Sequence, residues 1–286
     1  MNRTAALVEF SYFPGCSVAS TASESNQSLM RVCEALGFNL TELEDWNCCG
    51  SSSAYIVDPD LGLQLTARNL SLATPDKPLL VMCPRCLHHL RHVHISLREH
   101  QNLRRTLERR FRRPISPELE IIHFLEAVVR HGLPRLNAGA PQPLNGLRFM
   151  PYYGCTLFRP PGLRRERYFQ GEVENVLTAL GAQAMPRSLT SRCCGSFLSA
   201  AKPEVVTEQV NQIMASAIAA EAECLVTVCA MCQLNLEIRC TLKEPLPVFH
   251  LSEVLALALG AKDYQSWFVR HLVDPRPILS SRNLIR

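Results

Sequence analysis

The triplet Cys48-Cys49-Gly50, inside "DWNCCGSSS", returns as Cys193-Cys194-Gly195, inside "SRCCGSFLS", 145 residues further on (48 to 193). Its surroundings return with it. Cys16 in "YFPGC" matches Cys155 in "YYGC", and Cys83-Pro84-Arg85-Cys86 matches Cys229-Ala230-Met231-Cys232. Apolar landmarks agree as well, "CEALGF" (33–38) with "LTALGA" (177–182) and "IIHFLEAVV" with "VFHLSEVLA". A match at a period of about 140 residues marks a duplicated domain. The halves are 1–140 and 145–286, and the joint "LPRLNAGAPQPLNG" (133–146) carries the Pro and Gly of a linker.

Each half alternates the same elements. A short β-rich run ends at the first cysteine ("LVEFSYFPGC", "LRFMPYYGC"), and a helical pattern follows ("NQSLMRVCEALGF", "EVENVLTALGA"). A second short strand ("NLTELE", and more weakly "QAMPRS") leads to the CCG loop and another helix. A third, wholly apolar strand then runs into C-x-x-C ("PLLVMC", "CLVTVC"). Strands alternating with helices imply an α/β fold: two repeats, each a small, largely parallel sheet flanked by helices. All three cysteine groups of a half fall just beyond the carboxyl ends of strands, where open α/β sheets place their ligands. Five cysteines distant in sequence can therefore converge, once in each half.

The chain does not need its thirteen cysteines for stability, because 286 residues can bury a sufficient core without staples. The N-terminus has no apolar run of signal-peptide length, and "VLALALGA" is far too short to span a bilayer. These features predict a cytoplasmic protein with no transmembrane segment. In a reducing compartment, thirteen cysteines point to metal ligation or redox work rather than to disulfides. A net charge of +4 gives no case for nucleic acid. The arginines cluster at 98–113 and 159–167. The first cluster, with Leu103, Leu107 and Phe111 at i+4 spacing, predicts an amphipathic helix with a solvated basic face.

Thiolates favour zinc or iron–sulfur clusters. A zinc ion or a cubane cluster is saturated by four cysteines, whereas each half offers five in the order C, CC, C-x-x-C. Adjacent residues lie only about 3.8 Å apart at Cα, so neighbouring thiolates can bind neighbouring metals of a multinuclear cluster. A glycine after them allows a positive φ or a close approach. Structural zinc and a vicinal disulfide at each CCG are the competing readings; the disulfide leaves three cysteines of each half unexplained. The ferredoxin spacing C-x-x-C-x-x-C-x-x-x-C-P is absent, so electrons would have to arrive through a partner.

The other cysteines are not shared between the halves: Cys33 aligns with Leu177, Cys224 with Pro78 and Cys240 with His94. The group His88, His89, His92 and His94 likewise has no counterpart in "CQLNLEIRC". His123 and His250 do recur, each beside a helix start, where a capping or packing role is expected.

"YFPGCS", "LEDWNCCGSSSA", "VMCPRC", "YYGCTLFRPP", "SRCCGS" and "VCAMCQLNLEIR" resemble the B subunit of heterodisulfide reductase, the family of paired CCG domains, from about residue 10 to 260. The resemblance implies two noncubane 4Fe-4S clusters facing each other across a pseudo-twofold interface, with a disulfide cleaved between them. Carried over, one cluster would use Cys16, Cys48, Cys49, Cys83 and Cys86, and the other Cys155, Cys193, Cys194, Cys229 and Cys232. The catalytic group would be cluster iron, and no catalytic side chain is implied. It further implies an oxidoreductase acting on sulfur groups, with two partner proteins, one carrying cubane clusters and one containing a flavin. A bacterial sulfur-oxidising complex is the expected setting, with a lipoyl or other sulfur-carrier protein. Arg159, Arg164, Arg165 and Arg167 would then either orient an anionic substrate or an acidic carrier or form a solvated basic face. The alternative is a CCG protein that only passes electrons in a respiratory or lactate/glycolate-type dehydrogenase complex.

Overall fold

The computed structural model describes residues 7–51, 53–136, 143–158, 171–186 and 188–285. In the first half β1 (Val8–Phe13), α1 (Ser23–Leu36), β2 (Phe38–Glu42), α2 (Ser53–Val57), α3 (Pro59–Leu72), β3 (Leu79–Val81), α4 (Pro84–Glu99) and α5 (Gln101–Phe111) follow one another. β4 (Ile121–His123) then leads into α6 (Phe124–Ala127), a π-helical turn (Val128–Gly132) and α7 (Leu133–Leu136). The second half runs β5 (Arg148–Tyr152), α8 (Glu172–Ala179), β6 (Gln183–Ala184), α9 (Pro203–Ala219), β7 (Cys224–Thr227), α10 (Ala230–Arg239), β8 (Val248–His250) and α11 (Leu251–Ala258). Short helices α12 (Gln265–Phe268) and α13 (Arg276–Ser281) close the chain.

Two four-stranded, all-parallel sheets result, ordered β2-β1-β3-β4 and β6-β5-β7-β8. β3 and β7 are buried along their whole length, as parallel strands covered on both faces must be. In both sheets the order reverses between the first and third strands, which is the switch point where such sheets bind ligands.

Three strands per half were expected, and each half has a fourth. β4 and β8 are three residues long and run without a break into α6 and α11, so their apolar letters merge with the helical pattern and periodicity cannot separate them. His123 and His250 mark the boundary. Their Nδ1 atoms accept from the N–H of Leu125 (3.1 Å) and Ser252 (3.2 Å), while Glu126 and Glu253 accept from the histidine N–H groups, a capping box in each half.

The expected linker starts too early, since Leu133–Leu136 is helical; residues 137–142 lie outside the described residues. The arginine-rich helix exists as α5, with Leu107 buried, Phe111 partly buried and Leu103 exposed. Arg159, Arg164, Arg165 and Arg167 lie outside the described residues.

One cluster of buried apolar side chains runs from Phe10 to Leu279 through both halves, and a second, smaller one around Met150, Val210 and Ile213 belongs to the second half alone. Helix α1 packs on α11, where the Oγ atoms of Ser28 and Ser252 are 2.7 Å apart.

Candidate metal centre

Every cysteine of the doubled signature stands at the carboxyl edge of its sheet. Cys16 follows β1 and Cys155 follows β5, while Cys83 and Cys229 are the residues that cap α4 and α10 after β3 and β7. That placement puts Cys83, Cys86, Cys229 and Cys232 at helix N-termini, whose partial positive charge favours thiolate.

The CCG loops are held by their carbonyls. Asn47 Nδ2 donates to the carbonyls of Cys48 (2.7 Å) and Leu65 (3.0 Å), and Thr66 Oγ1 donates to that of Cys49 (2.6 Å). In the second half Asn235 Nδ2 donates to the Cys194 carbonyl (2.7 Å). The expected positive φ is present at Gly50 (75°) and Gly195 (79°). Both are also closely approached, since a Cβ would lie 3.0 Å from the Gly62 carbonyl oxygen or from Val206 Cγ2.

All ten cysteines line one cavity of about 290 Å³. Spacing alone implies two separate convergence points, whereas the two sulfur sets border one cavity. The Sγ atoms of Cys16 and Cys48 are 3.9 Å apart and those of Cys194 and Cys232 are 3.5 Å apart. The Cys48, Cys49, Cys83, Cys86, Cys229 and Cys232 thiols are near enough to shift one another's protonation, and Cys83 and Cys229 do so between the two halves. Bonds from Cys48 and Cys86 bring the Cys49 thiol down to about 4, and a bond from Cys232 brings Cys194 down to about 7. Among the described residues no three His, Cys, Asp or Glu side chains form a site for a single metal ion. What the chain offers is ten soft donors around a shared space, a fit for sulfur-ligated multinuclear groups.

The excluded cysteines stay outside. Cys33 and Cys224 are core residues, and burial pushes the Cys33 thiol up to about 12. Cys240 does not line the cavity either, nor does any histidine. His89 packs edge-on to Tyr55, and His94 Nε2 donates to the Ser116 carbonyl (2.9 Å). The cavity also has walls that the cysteine pattern did not single out: Tyr153, Phe197, Met231 and Arg85. Arg85 and Met231 occupy the same place inside the two C-x-x-C pairs, and that correspondence was the available signal.

The cysteine-rich domain family named CCG matches residues 10–91 and again 150–237. The chain is 32% identical over 280 residues to the membrane anchor subunit of the 8-methylmenaquinol:fumarate reductase of Wolinella succinogenes, covering 93% of this chain and 97% of that protein. It is 24% identical to a protein of Archaeoglobus profundus that is like the B subunit of heterodisulfide reductase (89% and 91% covered). The B subunit of the Ferredoxin/F(420)H(2)-dependent CoB-CoM heterodisulfide reductase of Methanosarcina acetivorans is 22% identical (89% and 90% covered). A crystal structure of a hypothetical protein from Helicobacter pylori shares the fold, with a TM-score of 0.69 at 12% identity, covering 93% of this chain and 52% of that one. No helix among the described residues is long and apolar enough to cross a membrane.

Proposed function

The chain belongs to the CCG cysteine-rich-domain family, in a two-copy form like that of the heterodisulfide reductase B subunit, and on that premise we propose that it is the iron–sulfur redox component of a multi-protein oxidoreductase. The observation that carries this reading is the cavity in which both complete five-cysteine sets meet. Cys16, Cys48, Cys49, Cys83 and Cys86 hold one noncubane 4Fe-4S cluster, and Cys155, Cys193, Cys194, Cys229 and Cys232 hold the other. The domain division at 1–140 and 145–286 then assigns one cluster to each half. When bound, the clusters supply one-electron transfer and soft Lewis acidity towards sulfur.

The protein's own groups prepare the space. Helix starts at α4 and α10 favour thiolate at the C-x-x-C pairs. Tyr153, Phe197 and Met231 provide apolar walls that exclude water, and Cys16 and Cys193 are the exposed cysteines through which the cavity meets solvent. Partner proteins, one with cubane clusters and one containing a flavin, exchange electrons with the clusters.

The destination of the electrons is a respiratory chain in the reading supported best. The relative that is 32% identical over nearly its whole length belongs to a menaquinol:fumarate reductase, whereas the heterodisulfide reductase relatives are at 22–24%. We therefore read the chain as passing electrons between a quinol and its partner proteins at the cytoplasmic side of a membrane. The second reading is redox cleavage or formation of disulfide or sulfane-sulfur bonds, supplied by a lipoyl or other sulfur carrier. It is favoured by one observation, that two complete sulfur sets border a single cavity with exposed cysteines at its edge.

Electron paramagnetic resonance of the anaerobically purified chain separates the two. Signals that respond to a lipid-soluble quinol and not to dithiols or disulfides support electron transfer. Thiol-dependent signals favour the sulfur reading, and stoichiometric zinc without sulfide would exclude both.

A further inference from the structure

Of the side chains that line the sulfur cavity among the described residues, Arg85 is the only basic one, and no carboxylate accompanies it. Its counterpart in the second half is Met231, so duplication alone does not account for a cation there. The guanidinium is held from both sides. Its Nη2 donates to the carbonyl of Ser51 (2.8 Å), directly after the first CCG. Its Cζ lies 5.3 Å from the ring centroid of Phe197, two residues after the second CCG. Ser51 and Phe197 belong to opposite halves and both line the cavity, so Arg85 spans from one CCG loop to the other.

The span is at the surface. Arg85 is exposed and Phe197 is 55% exposed, although both face the cavity. An exposed cation–π contact is worth only about 0.5–1 kcal/mol, so the contact can open and close readily. One hydrogen bond to Ser51 also leaves most of the five guanidinium donors free for a ligand.

We propose that Arg85 and Phe197 form a latch across the mouth of the cavity, and that the Arg85 guanidinium receives the anionic oxygen of the ligand that enters. The ligand class is a small molecule with a carboxylate or comparable oxyanion, paired with an end that reaches the sulfur-lined interior. Asymmetry follows from the sequence: the anionic end lies on the Arg85 side, and the softer end lies towards Met231. The inference rests on the sulfur reading above and adds charge selection to it.

The test uses the anaerobically purified, cluster-loaded chain, with iron and acid-labile sulfide measured first. The probes are mercaptoacetate and 2-mercaptoethanol, which differ in charge, and the readout is perturbation of the iron–sulfur absorption. The wild-type chain is expected to bind the anion about tenfold more tightly, as expected for a charge-assisted pair. Arg85→Met, which copies the other half, loses that preference, and Arg85→Lys keeps part of it. Phe197→Ala keeps the preference and speeds entry of both probes several-fold. Unchanged thermal unfolding of the variants confines the effects to the mouth.

A loaded wild-type chain that responds equally to both thiols overturns the inference while leaving the sulfur reading intact, and one that responds to neither overturns both. An Arg85→Met chain that retains the anion preference, or a Phe197→Ala chain with unaltered entry rates, overturns the inference alone. A chain that holds no iron sinks the underlying reading instead.

Discussion

Arg91 and Glu237 hold the same place in the two halves, five residues past Cys86 and Cys232, and carry opposite charges. In the first half Arg91 Nη2 donates to both oxygens of buried Glu126 (2.7 and 3.1 Å), while its Nε donates to the Ile121 carbonyl (2.8 Å). In the second half Glu237 shares its surroundings with Glu253, the counterpart of Glu126, and two buried carboxylates are left without the arginine. His271 replaces it. The C-terminal segment brings the imidazole between them, with Nδ1 2.9 Å from Glu237 Oε1 and Nε2 3.1 Å from Glu253 Oε1. The tail beyond residue 265 is therefore part of the core shared by both halves, and Trp267 beside it is fully buried.

Removing either cation strands buried carboxylate. Arg91→Met should cost about 3 kcal/mol, because buried Glu126 loses its bidentate partner and keeps only the His123 N–H and Arg130 at 3.9 Å. His271→Gln should also destabilise, by less, since an amide can still donate to one carboxylate. Urea denaturation midpoints measure both.

His271 also gives stability a pH dependence. Burial pushes the imidazole down, but the charges of Glu253 and Glu237 and their hydrogen bonds outweigh it and hold it up at about 10. The unfolded value is about 6.5, so the stabilisation is complete below about pH 6.5 and is lost as pH rises through about 10. Glu24 and Arg270 also act on this cluster, from α1 and from the segment after α12. The wild-type chain should thus lose stability relative to His271→Gln between pH 7 and 10. Parallel pH profiles of the two proteins would contradict the assignment.

Gly15 and Gly154 precede the first cysteine of each half at φ of 75° and 69°. A Cβ on Gly15 would lie 3.2 Å from Cys86 Sγ, and one on Gly154 would lie 3.3 Å from Cys232 Sγ. Alanine at either position combines left-handed strain of about 1–2 kcal/mol with pressure on a metal-site sulfur. Iron content should fall in the affected half while the circular dichroism of the fold persists.

Cys33 and Cys224 provide the contrast. Both are buried and lie outside the cavity, so alanine there should cost about 1 kcal/mol of stability through lost packing and leave iron content unchanged. Alanine at Cys83 or Cys229 should abolish loading of its cluster. Metal analysis beside thermal unfolding distinguishes the two classes.

The repeat makes the fold and the ten cysteines legible, because position 16 can be checked against 155 and each C-x-x-C against its copy. The same comparison sets aside Cys33, Cys224, Cys240 and the histidines of α4, none of which lines the cavity. What spacing conceals is the relation between the halves. Sequence periodicity carries no sign that the two sulfur sets border one space, so one shared cavity reads as two sites, and only the family resemblance implies that they meet. β4 and β8 escape detection because three apolar residues that continue into a helix have no period of their own. His271 is invisible for another reason: its two carboxylate partners come from different elements, and its counterpart in the first half is an arginine on a helix.

The central claim is that ten cysteines around one cavity hold two four-iron clusters. Anaerobic determination of iron, zinc and acid-labile sulfide on the purified chain tests it most directly. The account predicts about eight iron and about eight sulfide per chain, falling to about half when Cys83 or Cys229 is replaced by alanine. Zinc in stoichiometric amount without sulfide would contradict it.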